Sequence, residues 1–405
     1  MPIGNQTVID DVRGSFNANA QNQNIRDVED KVKLLLPTSR PMQNWFMTRS
    51  WAWESTTGAG GKKEWYEDKF LPSTTTINDA EGIQAGVLTQ TITITNQIFT
   101  ARDTVICEDT DQMFIVTSTS GNDITIVSID GAEVSLVASN GANLQRLAPT
   151  FAEGSSKATA MSVIAVPKYA YPQIIKKAVK MSGTQQASAF YGGKDWKYQW
   201  VKKLMETDEE CERAWLNNGS AHIAVTGSSS NTVSAGFNSL TTNRFGYTNP
   251  LDKLEWNAGL KTQFMYTNNT NLIAMAGGEA LNDFDNFMSS IWSITQDSPD
   301  FELKGFGLLT TSPQKTQMVR YRHPQGMVDI MYNPQLTGKY SNDVIVYDPL
   351  NVKKIYMADD EDGSRKFRAE LNIKQAGDDV KEAQYLMHQG LAIGLEETHS
   401  RYYLA

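Results

Sequence analysis

Lys194-Asp-Trp-Lys-Tyr-Gln-Trp-Val-Lys-Lys-Leu-Met-Glu-Thr-Asp-Glu-Glu-Cys-Glu-Arg-Ala-Trp-Leu-Asn-Asn218 is free of glycine and proline. Trp196, Trp200, Leu204, Cys211 and Trp215 recur at steps of four or seven, which places them on one stripe of an α-helix. Glu206, Glu209, Glu210 and Glu212 are expected on the opposite, solvated side. Asn217-Asn218-Gly219 is a C-terminal stop. At 1.5 Å per residue the segment spans about 37 Å, and its three tryptophans can bury a large area. Periodicity alone predicts a core helix of an α+β protein. The flanking sequence decides what that helix serves.

On the N-terminal side, Lys157 to Thr184 reads as one extended run leading into the helix. Before it, from Thr89 to about Phe151, lie alternating patterns such as TQTITITNQIFT and NDITIVSID, with tight turns at Gly121-Asn122 and Asp130-Gly131. This block, 89–151, is expected to be a small all-β module. Earlier still, Asn44 to Trp53 is strongly aromatic, Gly58 to Lys63 is a flexible tip, and EWYEDKFLPS is an extended charged segment. Residues 1–30 are polar and aperiodic, as an arm would be. On the C-terminal side, 220–250 reads as loop. Two helical patterns follow, LDKLEWNAGLKTQFMYTN and GEALNDFDNFMSSIW, and then strand patterns to the end.

Composition limits the function. The chain has 405 residues and a formal net charge of −9, which argues against general nucleic-acid binding. No apolar run reaches membrane-spanning length, and no signal sequence opens the chain. Cys107 and Cys211 are too few for a disulfide framework. The four histidines, His222, His323, His388 and His399, lack metal-ligand spacing, so no metal and no cofactor are expected. The GAGGKK tip fails as a phosphate loop, because Thr56 and Lys63 stand where glycine and a hydroxyl are needed. Asp359 to Gly363 fails as a calcium loop, because Ala358 takes the first ligand position. No nucleophile elbow is present, and no catalytic residue is assigned.

Three stretches, taken in order, carry a resemblance: LLLPTSRPMQNWF through EWYEDKFLP and Glu81-Gly82; YAYPQIIKKAVKMSGT through the long helix to NNGS; and AQYLMHQGLAIGLEETHSRYY. The order of parts resembles the major capsid protein of tailed bacteriophages with the Hong Kong 97-type fold, in the group with a β-rich insertion. The resemblance implies an arm at 1–39 and an extended loop (E-loop) at 40–175 holding the insertion. It implies a peripheral (P) domain at 176–250 and 349–405 with 194–218 as its spine helix, and an axial (A) domain at 251–348. It implies self-assembly into hexamers and pentamers of an icosahedral shell around double-stranded DNA, formed in the host bacterial cytoplasm and ending in the virion. It also implies a portal protein and cement or decoration proteins as partners. Only about 30 polar residues precede the first family-like stretch, which points to a separate scaffolding protein, or none, rather than a fused and cleaved one.

Trp45, Trp51, Trp53, Trp65, Tyr66 and Phe70 are the candidate subunit-interface residues, since an extended loop has no core for them and aromatic anchors suit interfaces. The acidic balance fits a container that touches packaged DNA only weakly. Some relatives crosslink a loop lysine to a neighbour's asparagine; Lys62, Lys63 or Lys69 with Asn372 and Glu370 are the residues that could play those parts. Two other readings stand beside this one. A tail or receptor-binding protein should show repeats or long coiled coils. A polysaccharide-active enzyme should show a pocket with convergent titratable groups.

Overall fold

The computed structural model describes residues 40–58, 61–129, 134, 137–155, 161–188, 195–219, 222–226, 229–248, 250–295, 306–309, 318–358 and 364–405. The expected arm and the acidic turn at 359–363 lie outside them. The chain is mixed α+β and divides into two compact units, Met1–Glu64 with Tyr169–Ala405, and Trp65–Lys168.

In the first unit, the helix-forming stretches resolve as α1 (Pro41–Met47), α2 (Asp195–Asn217), α3 (Lys253–Phe264) and α4 (Gly278–Thr295). α2 is the spine expected from sequence, within one residue at each end. α3 starts with a capping box in which Asp252 and Glu255 satisfy each other's backbone N–H groups.

Strands are numbered in chain order. The first sheet runs β1 (Trp53–Thr56), β19 (Val352–Met357), β21 (Val380–Ile393), β10 (Gln173–Ser182), with β20 (Arg368–Leu371) also on β21. β1 lies parallel to β19, with Trp53 opposite Lys354. α1, α2 and this sheet enclose a core that includes Met42, Phe46, Cys211, Trp215, Met387 and Leu391.

The second sheet runs β13 (Asn243–Tyr247), β22 (Ser400–Leu404), β18 (Val344–Tyr347), β14 (Asn271–Ala276), β17 (Gly326–Tyr332), β16 (Met318–His323), β15 (Phe306–Leu309). α3 packs on β22 so closely that a Cβ at Gly259 would collide with the Tyr402 ring. Trp256, Phe284 and Tyr402 fill the space between helices and sheet.

Two sequence expectations change here. The stretch 220–250 is not all loop: it holds the hairpin β11 (His222–Thr226) and β12 (Ser229–Val233), then β13. The span 349–405 is split between the sheets. Leu395 takes a left-handed φ of 51°, and the turn Glu396–Thr398 carries the chain from β21 into β22. Tyr402 then has its core among Trp256 and Phe245.

The second unit holds a six-stranded sheet, β3 (Thr74–Thr76), β8 (Asn143–Pro149), β5 (Asp103–Cys107), β6 (Met113–Ser120), β7 (Asp123–Ser128), β4 (Thr89–Thr93). The bridge between Ile77 and Ile94, flanked by bonds from Thr95 N to Thr76 O and from Asn78 N to Thr93 O, ties its two edges together. Alternating residues such as Ile92, Val105, Phe114, Val116, Ile124 and Leu144 fill the interior. Ile77 and Ile83 belong to the same core, so the β structure begins before the Thr89 start read from sequence. β2 (Lys63–Glu67) and β9 (Val166–Ala170) form a separate two-stranded ribbon.

Candidate assembly site

The aromatic stretch 44–53 is held against the spine by a cluster of buried polar and titratable groups. α1 has no side-chain cap of its own. Glu212, fully buried on α2, takes that role: its carboxylate accepts the N–H groups of Met42 and Gln43, each at 3.0 Å. These are first-turn donors with no partner inside the helix, and an anion is favoured there. Asn333 Nδ2 donates a further bond at 2.8 Å. Burial pushes the Glu212 carboxyl up to about 7, against the pull of those donors. Arg40 reaches Asp208, one turn earlier on α2; burial raises the Asp208 pKa, and the guanidinium opposes that shift.

Lys354 on β19 completes the cluster. It is fully buried, and its Nζ donates to Gln43 Oε1 at 2.5 Å and Gln389 Oε1 at 3.2 Å. The Nζ lies 3.4 Å from the Trp215 ring centre, 4.7 Å from Trp53 and 5.4 Å from Phe46. Burial drives its pKa well below the ordinary lysine value. Burial also pushes the Cys211 thiol up to about 12, which removes nucleophilic character.

This arrangement corrects the sequence reading of the spine. Glu212 is not on a solvated face; it is the capping group of α1. Cys211 and Trp215 are buried as expected, whereas Trp196, Trp200 and Leu204 are half-buried. Trp196 stacks on Trp200, which stacks on Tyr385. Periodicity missed Glu212 and Lys354 because their partners lie on other elements, 35 to 311 residues away. The available signal was a lysine in phase with Val352 in the VKKIYM strand.

The candidate interface aromatics separate into two kinds. Trp45 is 4% exposed and packs edge-on against Phe46, Trp51 and Tyr347, so it faces its own core and not a neighbour. Trp53 is half-buried between Lys354 and Lys366. Trp65 is half-buried and donates to Glu67 Oε1 at 2.8 Å. Trp51 is 48% exposed, Tyr66 75% and Phe70 100%.

Of the residues named for crosslinking, Lys62 pairs with Glu64, Lys63 with Glu54, and Glu370 accepts from Gln384. Lys69 and Asn372 are exposed, the latter with φ 60°. Among the described residues no cluster of metal-ligating side chains occurs, and no helix is long and apolar enough to cross a membrane. Burial lowers His388 and His399 to about 4.

The family model described as SU10 major capsid protein matches residues 11–403. No curated protein matches the chain. Among solved structures, the capsid of an empty GTA particle is similar at 7% identity and TM-score 0.45, covering 98% of this chain and 100% of that one. The capsid of cyanophage P-SCSP1u is similar at 10% identity and TM-score 0.40, covering 64% and 80%. The SrpI encapsulin of Synechococcus elongatus PCC 7942 is similar at 9% identity and TM-score 0.43, covering 60% and 77%. These likenesses are distant, and the family match alone carries the assignment.

Proposed function

Because this chain belongs to the SU10 major capsid protein family, we propose that its parts serve a Hong Kong 97-type subunit of an icosahedral shell. The protein is a shell-forming structural component of the virion that associates with itself. In the proposed layout the spine and first sheet form the peripheral part, and the second sheet with α3 and α4 forms most of the axial part. The ribbon and the Trp65–Lys168 unit belong to the extended loop. Rings of six and five copies would then build the shell around double-stranded DNA, with assembly in the host cytoplasm. A portal, a separate scaffold and cement proteins complete the set of partners. The acidic net charge of −9 supports weak contact with the packaged genome.

The observation that supports the assembly reading most directly is that Phe70 is wholly exposed and Tyr66, four residues earlier in the chain, is 75% exposed. Exposed aromatic side chains are the kind that anchor protein–protein interfaces, and these two sit where the extended loop would reach a neighbour. The test is expression alone and together with the products of its neighbouring genes, followed by sedimentation and electron microscopy. Closed shells or capsomer rings are expected. A compact monomer under every condition would overturn the reading.

A further inference from the structure

Lys354 is buried without a counter-ion. A charged side chain that leaves water is ordinarily paired with an opposite charge. Among the described residues Lys354 forms no ion pair: its Nζ donates to two amide oxygens, Gln43 Oε1 at 2.5 Å and Gln389 Oε1 at 3.2 Å. The rings of Trp215, Trp53 and Phe46 wall the amine. Burial is the largest influence on it and favours its uncharged form; Cys211, Glu212 and Asp208 oppose that, and Lys366 adds to it. A lysine amine desolvated in this way is a nucleophile.

Gln43 is the electrophile within its reach. The residue is buried in the first turn of α1, where its backbone N–H is held by Glu212 at 3.0 Å. A carbonyl bond is about 1.23 Å long, so the Nζ–Oε1 contact of 2.5 Å places the amide carbon Cδ within about 3.7 Å of the amine. Atoms poised to react stand roughly 3–3.5 Å apart, so a small shift closes the gap. Rotation about the Cε–Nζ bond turns the nitrogen lone pair onto that carbon. Gln389 is the poorer target, because its oxygen stands farther off and its amide nitrogen is tied to the Lys366 carbonyl. Glu212, in the same pocket, titrates at about 7 and can take and return a proton at neutral pH.

We propose that Lys354 and Gln43 condense into an isopeptide bond within one chain, fastening α1 to β19, with Glu212 carrying the proton. The uncharged Nζ attacks Cδ of Gln43, and the carbonyl electron pair moves onto Oε1. The surplus proton on Nζ passes to the Glu212 carboxylate. Collapse restores the carbonyl and expels Nε2, which takes that proton and leaves as ammonia. One C–N bond forms, one breaks, and no oxidant, metal or nucleotide enters the balance. The aromatic walls withhold the water that would hydrolyse the amide instead. The bond joins two parts of the same subunit, unlike a crosslink from Lys62, Lys63 or Lys69 to a neighbour's asparagine, and it does not depend on the capsid reading.

The test is the intact mass of the full, folded chain, followed over days at neutral pH under denaturing ionisation, with peptide mapping. The chain is expected to be lighter than its sequence by one ammonia, and the map to contain a branched peptide joining the segments around Gln43 and Lys354. Lys354→Met and Gln43→Leu, each alone, are expected to keep their full mass. Glu212→Gln is expected to slow the loss of ammonia about tenfold or more while the melt stays cooperative. A cooperatively melting unmodified chain that keeps its full mass throughout would overturn the proposal. So would an ammonia loss that persists in Lys354→Met or maps without a branched peptide, as a cyclised asparagine would give. Equal rates in Glu212→Gln and the unmodified chain would overturn the role given to Glu212.

Discussion

The indole of Trp200 lies over the phenol ring of Tyr385, centroids 3.8 Å apart and 24° from parallel, and the Tyr385 hydroxyl donates to the Trp200 carbonyl at 3.1 Å. The pair fastens the N-terminal half of the spine helix to β21. Because Trp200 is only half-buried, Trp200→Ala is expected to cost about 1–3 kcal/mol and leave a folded subunit. Trp200→Phe, which keeps the stack, should cost under about 1 kcal/mol. Denaturant unfolding measures both, and an unfolded Trp200→Ala chain would show that the spine depends on this end far more than its burial implies.

Glu212 predicts a pH dependence. Its carboxyl titrates near 4.5 when unfolded and about 7 when folded. The folded state therefore binds more protons between those values. The stability tied to this group is fully present below about 4.5 and is lost as pH rises through about 7, on the order of 3 kcal/mol in all. Glu212→Gln should flatten the slope of unfolding free energy against pH in that window. An identical slope in both proteins would assign the dependence to other groups.

Lys354→Met tests the buried ammonium. Methionine fits among Trp215, Trp53 and Phe46, yet it leaves the Gln43 and Gln389 amide oxygens without their donor. A net loss of about 1–3 kcal/mol is expected from the orphaned acceptors. Adding Gln43→Leu removes one of them and should recover part of the loss. A double variant no more stable than the single one would show that the aromatic cage, not the amides, carries the lysine.

The Trp65–Lys168 unit should fold alone. Its sheet edges are tied by the Ile77–Ile94 bridge and its core is its own. The isolated segment is expected to melt cooperatively, and Phe114→Ala to cost about 3–5 kcal/mol. A broad, featureless melt of the isolated segment would mean that it borrows stability from the rest of the chain.

Local pattern carried much of this architecture. The spine helix was legible because tryptophans at steps of four survive any tertiary context. Thr89–Thr93, Met113–Ser120 and Asp123–Ser128 were legible because apolar and polar residues alternate along them, whereas Asp103–Cys107 and Asn143–Pro149 were not picked out. Thr74–Thr76 and the Ser229–Val233 strand were not, since short polar strands among glycine and serine look like loop. Trp45 was misjudged for the opposite reason. An aromatic in an extended-looking stretch has no visible core until α1 is set against α2, and the groups that set it, Glu212 and Lys354, read locally as surface charge.

β21 has a consequence for the timing of folding. Residues 380–389 pair with 173–182, 383–386 with 368–371, and 389–393 with 352–356. Every partner leaves the ribosome before the strand that joins them. Such non-local pairing forms slowly and late. The first sheet stays open until β21 has been synthesised, and until then the face of the spine helix that carries Cys211 and Trp215 can meet α1 and β10 but lacks Met387 and Leu391. A subunit with its first sheet closed is therefore expected only once β21 has emerged, which favours association of finished chains over association on polysomes.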